Sequence, residues 1–256
     1  MSRKDDVSVL YKPSKILEKI CIGLFCADVG VSLFATFAQN ELSSYLTAGL
    51  IVIALCYLAL SIYDDGVVWF QAESARRKNS LQTAYNVRLD KFETVGYYNN
   101  DIKDPGLSYA VNQFESAFFT KEISAKMCFK AGIKALFAAA VVVASCRLIA
   151  NDEVLLVVVQ SAFSAFVIED SIRLFIYQHR IKTLYNEAYH EFVTIGISKP
   201  EQLVWLRYFC TEYESIKAHY RVRLDETLFK KMNPSLSSEW SELYKQIRIA
   251  PEIISR

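Results

Sequence analysis

The chain has 256 residues, of which 52% are hydrophobic, 13% aromatic and 22% charged, with a formal net charge of +1; its mean hydropathy is +0.16. That near-neutral balance excludes a globally basic nucleic-acid binder. It is also too greasy for an ordinary soluble enzyme and too charged for a chain lying wholly in lipid, so greasy segments are expected beside ordinary polar ones. Eight glycines and five prolines are few for this length, as a helical chain requires.

Four stretches carry the run of about 20 apolar residues that a membrane-spanning helix needs. They lie at about 16–38, 46–63, 127–150 and 154–168, in two close pairs. Ile172, Leu174, Phe175 and Ile176 prolong the apolar character of the short fourth one. The first run ends in Thr36-Phe37-Ala38-Gln39-Asn40. It is long and a second run follows at once, so it reads as an anchor and not as a cleaved leader. The connections within the pairs, 39–45 and 151–153, hold no Lys or Arg. The N-terminus holds Arg3, Lys4, Lys12, Lys15 and Lys19; Arg76, Arg77, Lys78, Arg88, Lys91, Lys103, Lys121 and Lys126 lie between the pairs; the last third is also basic. The positive-inside rule then places both termini and the middle segment in the cytoplasm. The expected fold is all-α, a four-helix transmembrane bundle of two hairpins with a cytoplasmic helical region. The expected divisions are 1–63, 64–126, 127–169 and 170–256.

The first span holds one unusual residue, Asp28. A carboxylate in hydrocarbon costs about 2.5–3.5 kcal/mol on insertion scales. It either lines a pore or gate or makes a structural hydrogen bond within the bundle. Ala135/Ala139 and Ala140/Ala144 in the third span allow close helix approach, within one chain or in a homo-oligomer. Acids stand where the second and fourth spans end, at Asp64-Asp65 and Glu169-Asp170; pairing with Lys15, Lys19 or Lys126 is the structural reading, a cation-binding ring the functional one. Both spans are expected to run on as long helices, each ending at a glycine, Gly96 and Gly196. The runs YNVRLDKFETVG at 85–96 and YNEAYHEFVTIG at 185–196 align at an offset of 100. This predicts an internal duplication, with two parallel repeats. Beyond Pro200, a helix over 201–231 is expected to break at Asn233-Pro234, with a last short helix over 237–249.

No phosphate-binding glycine loop, HExxH, G-x-S-x-G or kinase set occurs in the sequence, so no catalytic residue, cofactor or metal site is expected. His179, His190 and His219 lack metal spacing. The six cysteines form no CxxC pair and no Cys/His cluster, which points to free thiols in a reducing compartment. The remaining candidates are basic and aromatic residues together. They are Arg76, Arg77, Tyr85, Asn86 and Arg88; Arg180, Lys182, Tyr185 and Asn186; and Arg221 with Arg223. Guanidinium groups grip phosphates and aromatic faces stack on bases, so these residues suit a nucleotide pocket. Close to a membrane, the same residues also suit lipid headgroups.

Two hairpins, a basic helix and the run SLQTAYNVRLDKFETVGYYNND at 80–101, with YRVRLDETLFKKMNP at 220–234 and then Trp240, resemble the SMODS-associated four-transmembrane effectors of bacteria. The resemblance covers most of the chain; it departs at Tyr97-Tyr98-Asn99, and no Val-Pro element follows Asn233-Pro234. It implies a non-enzymatic effector of anti-phage signalling of the CBASS kind, a multi-pass protein of the bacterial inner membrane. Its implied partners are membrane lipid, a cyclic di- or trinucleotide second messenger and further copies of itself, with no nucleic-acid polymer. The rival reading is a non-conducting membrane scaffold that recruits a cytoplasmic partner; a small transporter would need more intramembrane polar residues.

Overall fold

The computed structural model describes residues 4–35, 41–92, 94–95, 98, 100–148, 152–162 and 168–250. Eight α-helices dominate: α1 (Lys12–Ala35), α2 (Glu41–Tyr63), α3 (Trp69–Tyr85), α4 (Pro105–Leu148), α5 (Asp152–Ala162), α6 (Ile168–Tyr189), α7 (Pro200–Tyr220) and α8 (Glu226–Tyr244). Two short strands, β1 (Lys4–Asp5) and β2 (Thr94–Val95), pair antiparallel. Among the described residues, two helices are long and apolar enough to cross a membrane, Ser44–Tyr85 and Pro105–Arg147. The apolar stretch of the first is not buried within the chain at all, and that of the second is only 6% buried. A core helix of a water-soluble protein would bury that surface.

The chain divides into two compact units. The first holds residues 1–79, 88–97 and 136–168. Here α1 packs along α2 and also touches α5. Helices α2 and α3 are one continuous rod, joined by a π-helical turn at Asp64–Val68. The rod thus continues past the acidic pair as expected, with Gly66 inside the π turn and not breaking it. An N-terminal clip grips α3. Asp5 receives two hydrogen bonds from Arg76, each 3.1 Å. The Tyr11 hydroxyl donates to Glu73 Oε1 at 2.8 Å, and its ring meets Trp69 edge-on at 5.3 Å. Val7 is fully buried under the clip.

The second unit holds residues 80–87, 98–135 and 169–250 of the described chain. Its core is aromatic: Phe114 stacks on Tyr185 and Phe192 at 5.4 and 5.0 Å and meets Trp240 edge-on at 5.4 Å. Asp104 caps α4, accepting from Leu107 N at 2.7 Å. Pro200 opens α7, where its missing N–H costs nothing. The Gln202 side chain accepts from Ser198 N and Lys199 N and donates to Gly196 O, at 2.8, 2.9 and 3.0 Å.

Three sequence expectations change. First, α3 ends at Tyr85, because Asn86 takes a left-handed conformation (φ 51°). The chain then folds back: Lys78 pairs with Asp90 at 3.6 Å, and Asn79 donates to Phe92 O at 3.0 Å and bonds to Thr94. Gly96, the expected stop, lies outside the described residues. In the matching run, α6 continues through Tyr185 and Asn186 into a π turn, His190–Ile195, and stops at Gly196 (φ 88°) as expected. The two runs therefore fold differently. The reason lies in one pair of matched positions: Ala188 is buried in the core, while Arg88 is exposed. The expected duplication does not extend to structure over these residues. Second, α7 stops at Arg221, left-handed at φ 50°. Third, Pro234 sits inside α8. A proline in a helix interior costs about 3 kcal/mol. Here Asp225 caps the helix, accepting from Thr227 N and Leu228 N at 2.8 and 3.0 Å, and Leu236, Trp240 and Leu243 anchor its far half in the core.

Candidate functional site

Helix α4 repeats short polar side chains every fourth residue: Ser108, Asn112, Ser116, Thr120 and Ser124. That spacing puts them on one side of a helix with 3.6 residues per turn. All but Ser116 are buried, as are the neighbouring Gln113 and, from the end of α3, Ser80. Buried polar groups need partners, and Tyr98 with residues 100–104 supplies several. Tyr98 OH and Ser116 Oγ are 3.0 Å apart. Asn100 Nδ2 donates to Asn112 Oδ1 at 2.6 Å, and Ser108 Oγ donates to Asn100 Oδ1 at 3.0 Å. The same Asn100 oxygen accepts from Ile102 N at 3.2 Å. Gln113 Nε2 donates to Ser80 Oγ at 3.4 Å, and Thr120 Oγ1 lies 2.9 Å from Tyr213 OH. Tyr98 and residues 100–104 form a strap along the seam, and the bonds named here reach α4 through its side chains.

Chemically, the seam offers Asn100, Asn112 and Gln113 side by side. Each amide presents a donor and an acceptor, the pattern found on the edge of a nucleobase. Sequence reasoning missed this seam, although its four-residue spacing inside an aromatic helix was readable. Among the described residues no group of three or more His, Cys, Asp or Glu side chains is arranged to hold a metal ion.

The predicted ligand residues scatter. Arg76, Arg77 and Arg88 belong to the first unit, and the other eight to the second. Arg76 is committed to Asp5 and lies over the Tyr11 ring at 5.8 Å. Arg77 is half-buried; Arg88, Arg180, Lys182, Asn186 and Arg221 are exposed, and Arg223 is half-buried. Tyr85 and Asn86 end α3 near the strap: a side chain at Gly106 would meet the Tyr85 hydroxyl at 3.8 Å. Tyr85 is 47% exposed, whereas Tyr185 is 7% exposed. The Tyr185 ring is stacked on Phe114 and covered by Lys121 Nζ, 3.9 Å from its centre. No face of it is open for a base, so Tyr185 is a core residue and not a stacking platform. Burial, with Tyr189 and Glu122 nearby, pushes its phenol up to about 12. Burial and Glu214 likewise push the Cys210 thiol up to about 12, which keeps it protonated and unreactive.

Asp28 is half-buried on α1. Beside it, Phe25, Val29 and Leu33 of α1 line an apolar cavity of about 300 Å³ with Phe137, Ala138 and Val141 of α4 and Val157 and Val158 of α5. Asp28 is not among the lining residues. Of the acids at the ends of the second and fourth spans, Asp64 is buried in the π turn. Asp170 pairs within its own helix with Arg173 at 3.7 Å. The side chain of Glu169 lies outside the described residues.

No protein-family model, no curated protein and no solved structure matches this chain.

Proposed function

We propose that this chain is a multi-pass effector of the bacterial inner membrane that binds a cyclic di- or trinucleotide and in response permeabilises the membrane. It crosses four times, as two hairpins, with both termini and the middle segment in the cytoplasm. The apolar runs and the one-sided placement of Lys and Arg support that topology. The resemblance carried by the runs at 80–101 and 220–234 supports the ligand class. One observation carries the mechanism. The amide-lined seam and a nearly unburied apolar stretch lie on the same uninterrupted 44-residue helix, α4.

Ligand binding must favour one arrangement of the protein over another to do work. In this reading the nucleotide takes the place of Asn100 on the Asn112 amide and of Ser80 on the Gln113 amide. Tyr85, exposed near the strap, supplies stacking, and the exposed Arg180 and Lys182 of the same unit are the cations offered to phosphate. Release of the strap changes how α4 packs, and its membrane end follows because the helix is unbroken. Asp28 then stands as the carboxylate near the middle of the first span that an opened path would meet.

The test is dye release from liposomes carrying the full chain, with and without a panel of cyclic di- and trinucleotides. The expected result is release that depends on one nucleotide. A second reading, the scaffold, is favoured by Val204 and Tyr208, which are exposed one turn apart on α7 and suit a docked partner. Unchanged dye retention under every nucleotide, with the protein inserted, would refute the effector and leave the scaffold.

A further inference from the structure

We infer that the membrane-entry end of the second unit is a docking surface for anionic phospholipid headgroups, centred on Lys126 and Lys134 of α4. At 100° per residue, Phe129, Lys126, Ile133 and Lys134 fall within an arc of about 140° on one side of the helix. Phe129 is 70% and Ile133 54% exposed. Both lysines are exposed as well, and neither has an acidic partner among the described residues.

The described acids nearest this height are engaged elsewhere, Glu122 with Lys121 at 2.8 Å. Asp225 accepts from Lys130 at 3.0 Å, and Asp170 pairs with Arg173 at 3.7 Å. Helix α6 runs antiparallel beside α4: Cys128 Sγ faces Leu174 O at 3.7 Å, and Phe114 stacks on Tyr185 further back. It adds exposed Ile172 and Ile176 at the same height.

Charge and direction both select the occupant. Basic groups interleaved with exposed aromatic and aliphatic side chains fit the boundary of an anionic leaflet, where apolar groups enter the acyl region and amines hold phosphates. A small soluble anion would leave Phe129 and Ile133 facing solvent. The helix continues from Lys134 straight into its nearly unburied apolar stretch, so this collar lies at the depth of the headgroups. Side chains on a helix lean toward its N-terminus, which on α4 is away from the apolar stretch, so the amines reach back toward the phosphates. The proposal rests on α4 being a membrane-crossing helix.

The test uses the full chain extracted from membranes, with phosphatidylglycerol or phosphatidylcholine titrated in and bound lipid read by native mass spectrometry. The double variant Lys126→Gln/Lys134→Gln is compared with wild type and with Lys245→Gln, just past the end of α8. Wild type is expected to prefer phosphatidylglycerol. The double variant should bind it roughly 30-fold more weakly, from the surface attraction of two basic residues, with phosphatidylcholine binding unchanged. Lys245→Gln should match wild type. Equal phosphatidylglycerol binding in wild type and double variant overturns the proposal, as does displacement of the lipid by inorganic pyrophosphate, which would assign the lysines to a soluble anion. An alkaline carbonate wash of membranes separates the two premises. A chain that washes out refutes the membrane reading and this surface with it. A chain that resists the wash yet does not discriminate lipids refutes the surface alone.

Discussion

Replacing Asn112 by Ala removes the acceptor for Asn100 Nδ2 at a position only 1% exposed. Asn100 keeps its bonds with Ser108 Oγ and Ile102 N, and its amide retains a 3.4 Å contact to Ser108 O. The loss is thus one short hydrogen bond and a donor left poorly satisfied, about 1–3 kcal/mol. Alanine is the better helix former by up to about 0.7 kcal/mol, which offsets part of it. A net loss of about 1–2 kcal/mol, with 1.4 kcal/mol per tenfold, opens the strap roughly 5–30 times more often. The assay is amide hydrogen exchange in the full chain. The Ile102 amide, bonded to Asn100, should exchange faster by that factor, while amides of the aromatic core around Phe114 keep their protection. Unchanged exchange at Ile102 would refute the strap as a separately held element. Equal acceleration throughout the second unit would refute it too, because the seam would then be ordinary core.

Two further outcomes follow from local geometry. Gly196 has φ 88°, and a Cβ there would meet Arg248 Cβ at 3.0 Å and Arg248 O at 3.3 Å; Gly196→Ala should therefore destabilise the chain by about 1–3 kcal/mol of backbone strain, with the clash in addition, read as a lowered thermal midpoint. Burial pushes the Asp225 carboxyl up, but the hydrogen bond from Lys130, the N–H groups of Leu228 and Thr227 and the Lys130 charge outweigh it and hold the group below its ordinary value. A folded-state value below the unfolded one favours folding above about pH 4 and loses that contribution as pH falls further. Protection of the amides at 221–228, taken relative to their intrinsic exchange rates, should therefore fall below pH 4 in wild type and show no such step in Asp225→Asn; an identical acid step in both would assign it to another group.

Much of the backbone plan is readable in the chain itself. The scarcity of proline and glycine marks the long helices, and Gly196 marks a true stop because no other residue accepts its backbone angles easily. The errors arise where distant contacts decide. Tyr85 and Tyr185 look alike in sequence, yet Asn86 turns the chain out of α3 while Ala188 and Phe192 draw α6 onward into the core. Pro234 looks like a breaker, but Trp240 and Leu243 hold the helix together beyond it. Arg76 looks like a phosphate ligand until Asp5, 71 residues earlier, is seen to hold it. The seam on α4 was legible in principle, since five short polar residues recur at one spacing; its partner strap was not, because an irregular segment carries no period.

The π turn at Asp64–Val68 gives the α2–α3 rod a fixed phase. Its wider winding accommodates one residue beyond what an α-helix would take up. Deleting a single residue there would leave a continuous α-helix in nearly the same phase, whereas a deletion in the regular part of α2 would rotate everything from Trp69 onward by about 100° relative to the start of α2. Trp69, Glu73 and Arg76 would leave Tyr11 and Asp5 together. The rod thus behaves as a keyed shaft: its length tolerates change poorly because its angle does, and a one-residue deletion among chains of this kind should fall within those five positions and not elsewhere in the rod.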